Sequence, residues 1–446
     1  MKIAIVGGGI SGLATAFYIK KGNPKAQITL FEKEDKLGGK MMTKECKGFL
    51  FEEGSNGFLS NKPDTLNLVK ESGNEDLLLR SSDKARMRFI YKDALHKLPE
   101  TPGAFLATPL LSWFGKLRVA AEIFIPAKKD DSDETLQSFG YRRVGKEMTN
   151  AFLDPMTAGI FASKPDKISV NAAFPAVVKL EKEYGGLFKG MLKKKKKEAG
   201  PGGVLMSFKG GVGAFIDSLA KSIDMEIKTN TQIKSIEKED DKFVLHVEDD
   251  TEEFDKVILS TPAYESAKIL NKVDPEFSVL LHDVEYSPIS VVGLGYDNLK
   301  HNLNGFGLLT TTSSKKDILG VLWDSSIFTD RASQDRKALR VMIGGQRNPT
   351  LALKSEEELK SIAIQGVKET MGIEELPSTV YVKKWEKGIP NYRVGHLEKM
   401  GKLFEKLKKY EGLSLSSNAY FGVGLNDCVK NSKEVADEVL NNLKGA

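Results

Sequence analysis

The amino-acid sequence predicts a mixed α/β protein of more than one domain. Three observations carry that expectation: a strand–glycine turn–helix–strand unit at the start of the chain, a helical and apolar stretch over about residues 85–200, and strand patterns that return in separate blocks from near residue 205. At 446 residues the chain can hold two or three domains, each with its own core.

The opening unit is the most specific signal. Residues 2–6 (KIAIV) read as a short buried strand. It runs into Gly7-Gly8-Gly9-Ile10-Ser11-Gly12, a G-x-G-x-x-G pattern, and then into the helical pattern of residues 13–19. A second strand over 27–31 leads to Glu32, twenty residues beyond Gly12. This order and spacing are those of a dinucleotide-binding βαβ unit. Gly7 permits the tight turn, and Gly12 lets the helix lie close to the strand. Gly9 lets a pyrophosphate approach the backbone at the positive end of the helix dipole. Glu32 can accept hydrogen bonds from a ribose diol.

The elements that follow are read in order. Leu37-Gly38-Gly39-Lys40 turns after the second strand, with Lys40 placed to reach a phosphate or the edge of a cofactor ring, and residues 49–55 form a strand leading into a turn. Residues 130–133 (DDSD) look like a loop and N-cap ahead of a helix at 134–140. A turn at 207–213 precedes a helix over 214–222, and strands at 226–228, 232–236, 243–247 and 256–259 complete the first sheet and add a small meander. Alternation over 285–345, as in 291–296 and 341–345, predicts an antiparallel sheet in a second domain. The chain thus leaves the nucleotide domain twice and returns twice. Near the end, a strand at 413–415 meets a turn with Gly422 and Gly424. A helix is expected after Asn426-Asp427, capped by one of them, with its dipole aimed at a cofactor ring.

Composition excludes several classes. With 66 basic and 61 acidic side chains the net charge is only +5, which gives no reason to expect nucleic acid. Cys46 and Cys428 cannot build a disulfide framework, and the five histidines are scattered, so no metal site is expected. No apolar run is long enough to cross a bilayer. Residues 103–115 (GAFLATPLLSWFG), followed by Lys116 and Arg118 and the apolar stretch 119–125, read either as an interfacial segment or as a helix pair over a cavity. The lysine run 193–197 reads as a solvated loop or as a contact for anionic lipid.

Across almost its whole length the chain resembles the flavin-dependent protoporphyrinogen oxidases, within the wider group of amine oxidases and phytoene desaturases. GGGISGLATA, LGGK, FEEGSNGF, RFIY with LHKLP, TAGIFAS, GFG at 305–307, GIPNYRVGH and NAYFGVGLNDC carry the resemblance in the family's order. It implies an amine-oxidase-like flavoprotein fold. A Rossmann-like FAD-binding domain is expected at 1–84, 204–266 and 404–446, and a substrate-binding domain with an antiparallel sheet at 85–103, 163–203 and 267–403. A helical, membrane-associating subdomain is expected at 104–162. FAD contacts are implied for Gly7, Gly9, Ile10, Ser11, Gly12, Glu32, Lys33, Gly39, Lys40, Gly54, Ser55, Trp385 and the turn Val423-Gly424-Leu425. Arg88 is implied to hold a substrate propionate, Gly159 to let the tetrapyrrole come close, and Phe306, Leu309 and Met342 to wall the macrocycle.

The implied reaction is oxidation of protoporphyrinogen IX to protoporphyrin IX in haem biosynthesis, in three flavin-mediated steps with O2 as acceptor and H2O2 as product. No side chain is implied as catalytic, since flavin N5 takes the hydride. Oxidation of coproporphyrinogen III is the alternative, and an amine oxidase or carotenoid desaturase the remoter one. Arg88 is the one cation placed in the pocket, with Lys84 and Arg86 near it in sequence, and this favours the two-carboxylate substrate. The implied partners are the porphyrinogen and O2, with no nucleic acid. Peripheral contact with the inner face of the cytoplasmic membrane, a cytoplasmic location and a homodimer are compatible with the family. Two positions depart from its pattern. Ser416-Ser417-Asn418 replaces a glycine-containing turn, and Asn56 stands where some relatives have arginine.

Overall fold

In the computed structural model, which describes residues 1–195, 203–248, 250–333 and 335–441, the first sheet gathers strands from widely separated stretches. Its order is Glu226–Lys228, Gln27–Phe31, Lys2–Val6, Lys256–Leu259, Leu413–Leu415, and every neighbouring pair is parallel. Strands of this kind are buried on both faces, which is why they read as apolar runs without alternation. Helices Ile10–Gly22, Val212–Lys221 and Leu425–Asn441 cover one face, where Ile3, Ile5, Leu30 and Ile258 are shut from water. The meander Ile233–Glu239, Lys242–Val247, Asp250–Phe254 covers the other, over Ala4, Val6, Val257 and Leu259. The strands expected at 226–228 and 256–259 therefore join the parallel sheet, and those between them form the meander. The strand Leu205–Phe208 belongs to neither. It pairs with Phe58–Leu59 and Leu78–Arg80 in a separate small sheet.

A second sheet of seven strands has the order Thr379–Pro390, Tyr286–Tyr296, Lys337–Gly344, Ile318–Leu322, Gly307–Thr310, Arg88–Tyr91, Leu95–Lys97. All its pairings are antiparallel except Gly307–Thr310 with Arg88–Tyr91. Residues 88–91 and 95–97 thus form a strand hairpin, where the sequence points to helix. Helix Glu356–Met371 packs on one face of this sheet over Val292, Leu308, Val341 and Ile343. Onto the other face docks the hairpin Thr43–Cys46, Phe49–Glu52. Gly293 and Gly295 alternate along their strand, and a Cβ on either would lie 2.5 Å from the rings of Phe51 and Phe49. Two missing side chains thereby make the seat that joins the nucleotide domain to the second sheet.

From Pro102 to Lys195 the described chain is mainly helical. Thr135, not Asp133, caps helix Leu136–Arg143, with its hydroxyl accepting from Ser138 N. Asp133 instead accepts from the Ser169 hydroxyl and from Gly395 N. An ion network fixes these helices from inside. Arg143 pairs with Glu122 with both side chains fully buried, and Arg142 joins Glu181 to Glu134. Of the lysine run, Lys196 and Lys197 lie outside the described residues. Among the described residues no helix is long and apolar enough to cross a membrane.

Candidate functional site

At the end of strand Lys2–Val6 the glycine turn is shaped by clashes that side chains would make. Gly7 sits at φ +108°, and a Cβ there would lie 2.9 Å from the Ser260 carbonyl oxygen. A Cβ on Gly12 would overlap the Gly7 carbonyl oxygen. Gly9 differs, because the nearest atom to its hypothetical Cβ is Gly38 O at 3.9 Å. The space over Gly9 is open, and it lies at the start of helix Ile10–Gly22, where no side chain caps the free amides. Glu32 is buried beside this opening. Its Oε2 accepts from Gly8 N at 2.8 Å and its Oε1 from Glu34 N at 3.0 Å. Gly38 N donates to Gly8 O, which brings the Gly38-Gly39-Lys40 turn against the first. A cradle with a helix N-terminus, an open glycine and a fixed carboxylate fits a dinucleotide.

Helix Leu425–Asn441 closes the same crevice. It packs along the first helix, and the Ser432 hydroxyl donates to Ser11 O at 3.0 Å. The helix begins at Leu425, before Asn426-Asp427, so neither of those residues is its cap. Gly424 O accepts from Cys428 N, while the Asn426 carboxamide bridges Thr65 N and Leu59 O. Val423 and Gly424 therefore form the turn at its N-terminus. Ser417 turns its hydroxyl inward to accept from Ala419 N, and Ser416 meets Ser432. Lys33 is drawn away to the surface by Glu34 and Glu265.

Contacts run from the crevice to the second sheet without a break. The Lys40 ammonium donates to Gly388 O and to Lys387 O at 2.8 Å, and stands 5.1 Å over the Tyr286 ring. Burial pulls its pKa down to about 8. A Cβ on Gly54 would overlap the Lys40 carbonyl oxygen, so the 53–55 turn rests on that residue. Trp385 Nε1 donates to Glu53 O at 2.7 Å, and the Glu53 carboxylate takes Tyr381 and Lys383. Arg340 fastens the same turn to the sheet, donating to Glu52 O, to Asn56 Oδ1 and to buried Asp324. Ser55 lies within the turn, its hydroxyl donating to Gly57 O. Burial raises the Asp324 carboxyl, while Arg340 and Arg331 oppose the rise.

Register then places the expected substrate residues on one face. Arg88 pairs with Gly307, Gly307 with Leu322, and Leu322 with Arg340. One step along, Ile90, Leu309, Gly320 and Met342 form the next row. Directly paired residues point to the same face, as do residues two apart along a strand. Gly320 lets the Leu309 side chain lie over its position, since a Cβ there would come 2.8 Å from Leu309 Cδ2. Gly159, on helix Asp154–Phe161, packs over this face, and a Cβ there would lie 2.9 Å from Leu309. Trp385 and Met342 are partly buried against one cluster formed by Ala158, Ala162, Ile289 and Leu319. Phe306 precedes the strand, and the Arg88 guanidinium lies 5.1 Å over its ring. The result is a sheet face carrying Ile90, Leu309 and Met342, with Arg88 at one edge and the dinucleotide crevice toward the Trp385 end.

Sequence reasoning missed Arg340, Arg331 and Arg80. A signal for the first existed, because an arginine inside the apolar run KALRVMIG must find a buried partner. The spacing of Arg80, Arg86 and Arg88 carried no comparable signal. It takes a small sheet and a short turn to bring them together.

Comparisons with known proteins agree with this geometry. The family model for flavin containing amine oxidoreductases matches residues 10–440. A coproporphyrinogen III oxidase of Bacillus subtilis (strain 168) is 28% identical over 98% of this chain and 97% of its own length. A chloroplastic protoporphyrinogen oxidase of Oryza sativa subsp. japonica is 28% identical over 98% of this chain and 87% of its own. A solved structure from Exiguobacterium sp. 255-15, provisionally described as a protoporphyrinogen oxidase, superposes with a TM-score of 0.87 at 27% identity over 99% of both chains.

Proposed function

The chain belongs to the flavin containing amine oxidoreductase family, and we propose that it oxidises a porphyrinogen to a porphyrin in haem biosynthesis. It is an FAD-dependent oxidoreductase. The observation that carries the substrate reading is the sheet face, where apolar side chains lie between Arg88 at one end and the crevice at the other. An apolar face with a cationic edge suits a carboxylate-edged macrocycle and suits a small alkyl amine poorly. Whole-length similarity to porphyrinogen oxidases of both substrate types supports it. When bound, FAD supplies the two-electron acceptor.

Each of three oxidations removes a hydride from a bridge methylene and a proton from the macrocycle, and O2 takes up both as H2O2. The protein's part is positioning. Gly7, Gly9 and Gly12 shape the crevice for the pyrophosphate, and the amides of Ile10 and Ser11 together with Gly39 and Lys40 face it. Glu32 holds the ribose. Gly54, Ser55, Trp385 and the Val423-Gly424-Leu425 turn enclose the ring end. Arg88 grips a propionate with parallel hydrogen bonds. Gly159, Phe306, Leu309 and Met342 hold the macrocycle and keep water from the reacting methylene. The test is porphyrin fluorescence from aerobic, FAD-loaded protein. Porphyrin formation well above autoxidation, with H2O2 released, is expected. A rate equal to autoxidation overturns the reading.

We further propose peripheral contact with the inner face of the cytoplasmic membrane, and a second observation supports the membrane contact. Helix Trp113–Ala120 and the turn after it expose Trp113 (67%), Phe114 (84%), Leu117 and Phe124 (84%) on one side. Gly115, Lys116 and Val119 are buried on the other side. Arg118 clamps the helix from beneath by donating to the carbonyls of 141–143. A rigid aromatic stripe of this kind suits the headgroup region of a bilayer. Flotation with anionic liposomes is expected for the wild type and lost in Phe114→Ser/Phe124→Ser with kcat unchanged. Equal flotation of both proteins contradicts it.

A further inference from the structure

Around Arg88 the fold assembles a charged cleft that chain order conceals. Arg80 ends strand Leu78–Arg80, Arg86 ends the short turn Asp83–Arg86, and Arg88 opens strand Arg88–Tyr91. All three line one cleft of about 660 Å³, with Phe306 on its wall. The turn is held from below. Ser82 N donates to Ile327 O at 2.9 Å, and Ala85 is buried against Ile327 and Phe328.

Charge in this cleft is unbalanced. Asp83 is the one acid among the described lining residues. Its Oδ1 lies 3.3 Å from Arg80 Nη2 and 3.6 Å from Arg86 Nη2, so one carboxylate oxygen bridges two guanidinium groups. The side chains are 57%, 69% and 80% exposed for Arg80, Arg86 and Asp83, which makes the pairs weak and exchangeable. Arg88 rests on the Phe306 ring and has no carboxylate partner among the described residues. Two positive charges are therefore in excess at the edge of the apolar face.

We propose that Arg80 and Arg86 form a second carboxylate subsite for the porphyrinogen, taking the propionate on the pyrrole next to the one held by Arg88. Asp83 fills this subsite as an internal counter-ion, and the substrate carboxylate displaces it. The proposal rests on the porphyrinogen reading above. Asp83 already shows the geometry of the displaced contact, one carboxylate between two planar forks. Its removal should strengthen substrate binding, which no purely structural role would produce.

The experiment uses FAD-loaded enzyme and protoporphyrinogen, with KM and kcat read separately, and Kd for the porphyrin product read from fluorescence quenching. Asp83→Asn is expected to lower KM several-fold at constant kcat. Arg80→Ala/Arg86→Ala is expected to raise KM by about tenfold or more, at the lower end of a charged hydrogen-bond pair. Adding Asp83→Asn to that double variant should change nothing, because its partners are gone. KM should also rise more steeply with salt in the wild type than in the double variant. Unchanged KM and Kd in both Asp83→Asn and the double variant, with active wild type, overturn the subsite alone. A wild type that neither turns over porphyrinogen nor binds porphyrin overturns the subsite together with the reading beneath it.

Discussion

The glycine crevice recognises with main chain and empty space, whereas the face of the second sheet recognises with side chains brought from distant parts of the sequence. In the crevice, Gly7, Gly9 and Gly12 fall within six consecutive residues; Gly7 and Gly12 are defined by what a Cβ would strike, and Gly9 by the open space above it. On the sheet face, Arg88, Gly159, Leu309 and Met342 meet only because strands and a helix far apart in sequence come into register. The crevice is therefore set by local geometry and tolerates little change at its centre. The face depends on fasteners such as Arg340, and its lining can vary without loss of the fold. One family can accordingly keep a cofactor and alter its substrate.

The largest expected effect breaks the crevice. Gly12→Ala puts a methyl into the Gly7 carbonyl, which is backbone and cannot yield, so the purified protein should carry no flavin and melt several degrees lower. Gly9→Ala sharpens the contrast, since its Cβ meets nothing closer than 3.9 Å. It should fold and melt like the flavin-free wild type yet stay colourless, because the methyl occupies the space for the pyrophosphate. Colour and melting temperature measured together distinguish the two cases.

Next in size is Arg340→Ala, which strands the buried Asp324 carboxylate and frees the 52–56 turn. Removing one partner of such a pair costs about 3–5 kcal/mol, read by denaturant unfolding. Arg88→Ala should act on function alone. A drop in kcat/KM of about 10–100-fold, carried mainly by KM, is expected from loss of a charged hydrogen-bond pair, with stability changed by no more than about 0.5 kcal/mol.

The smallest effect concerns pH. Burial holds the Lys40 pKa down to about 8, and the negative charge of a cofactor bound in the adjoining crevice would raise that value. Below about 8 the lysine is charged both with and without flavin, so affinity is fully present. Above that, binding must take up a proton, and affinity falls with rising pH, by at most about tenfold per unit. Flavin Kd measured across this range should show the fall in the wild type and not in Lys40→Met.

The same contrast explains what was legible in the sequence. The βαβ unit could be read directly because its strand, turn, helix and acid are consecutive and follow a steric rule. Two strands of the meander and the returning strand Lys256–Leu259 were legible as strands, while the acidic third meander strand Asp250–Phe254 was not, and the run KVIL carries the signature of a central parallel strand. Residues 88–97 were not legible as strand. Arg88–Tyr91 forms a hairpin with Leu95–Lys97, and it is the pairing with Gly307–Thr310, more than two hundred residues away, that joins this hairpin to the large sheet. The cap of helix Leu136–Arg143 was misplaced because Asp133 is taken by Ser169 and Gly395, tertiary partners that no local pattern announces. The cationic edge was read as Arg88 alone for the same reason, since Arg80 and Arg86 converge with it only through the small sheet and the turn.

The most direct measurement is anaerobic addition of porphyrinogen to the FAD-loaded protein while the visible absorption of the flavin is followed. Bleaching by porphyrinogen alone, followed on admission of air by return of the oxidised flavin and a rise of porphyrin fluorescence, is the expected result. A flavin that stays oxidised with porphyrinogen, yet bleaches with an alkyl amine, would contradict the proposed function and leave only the fold in common with the porphyrinogen oxidases.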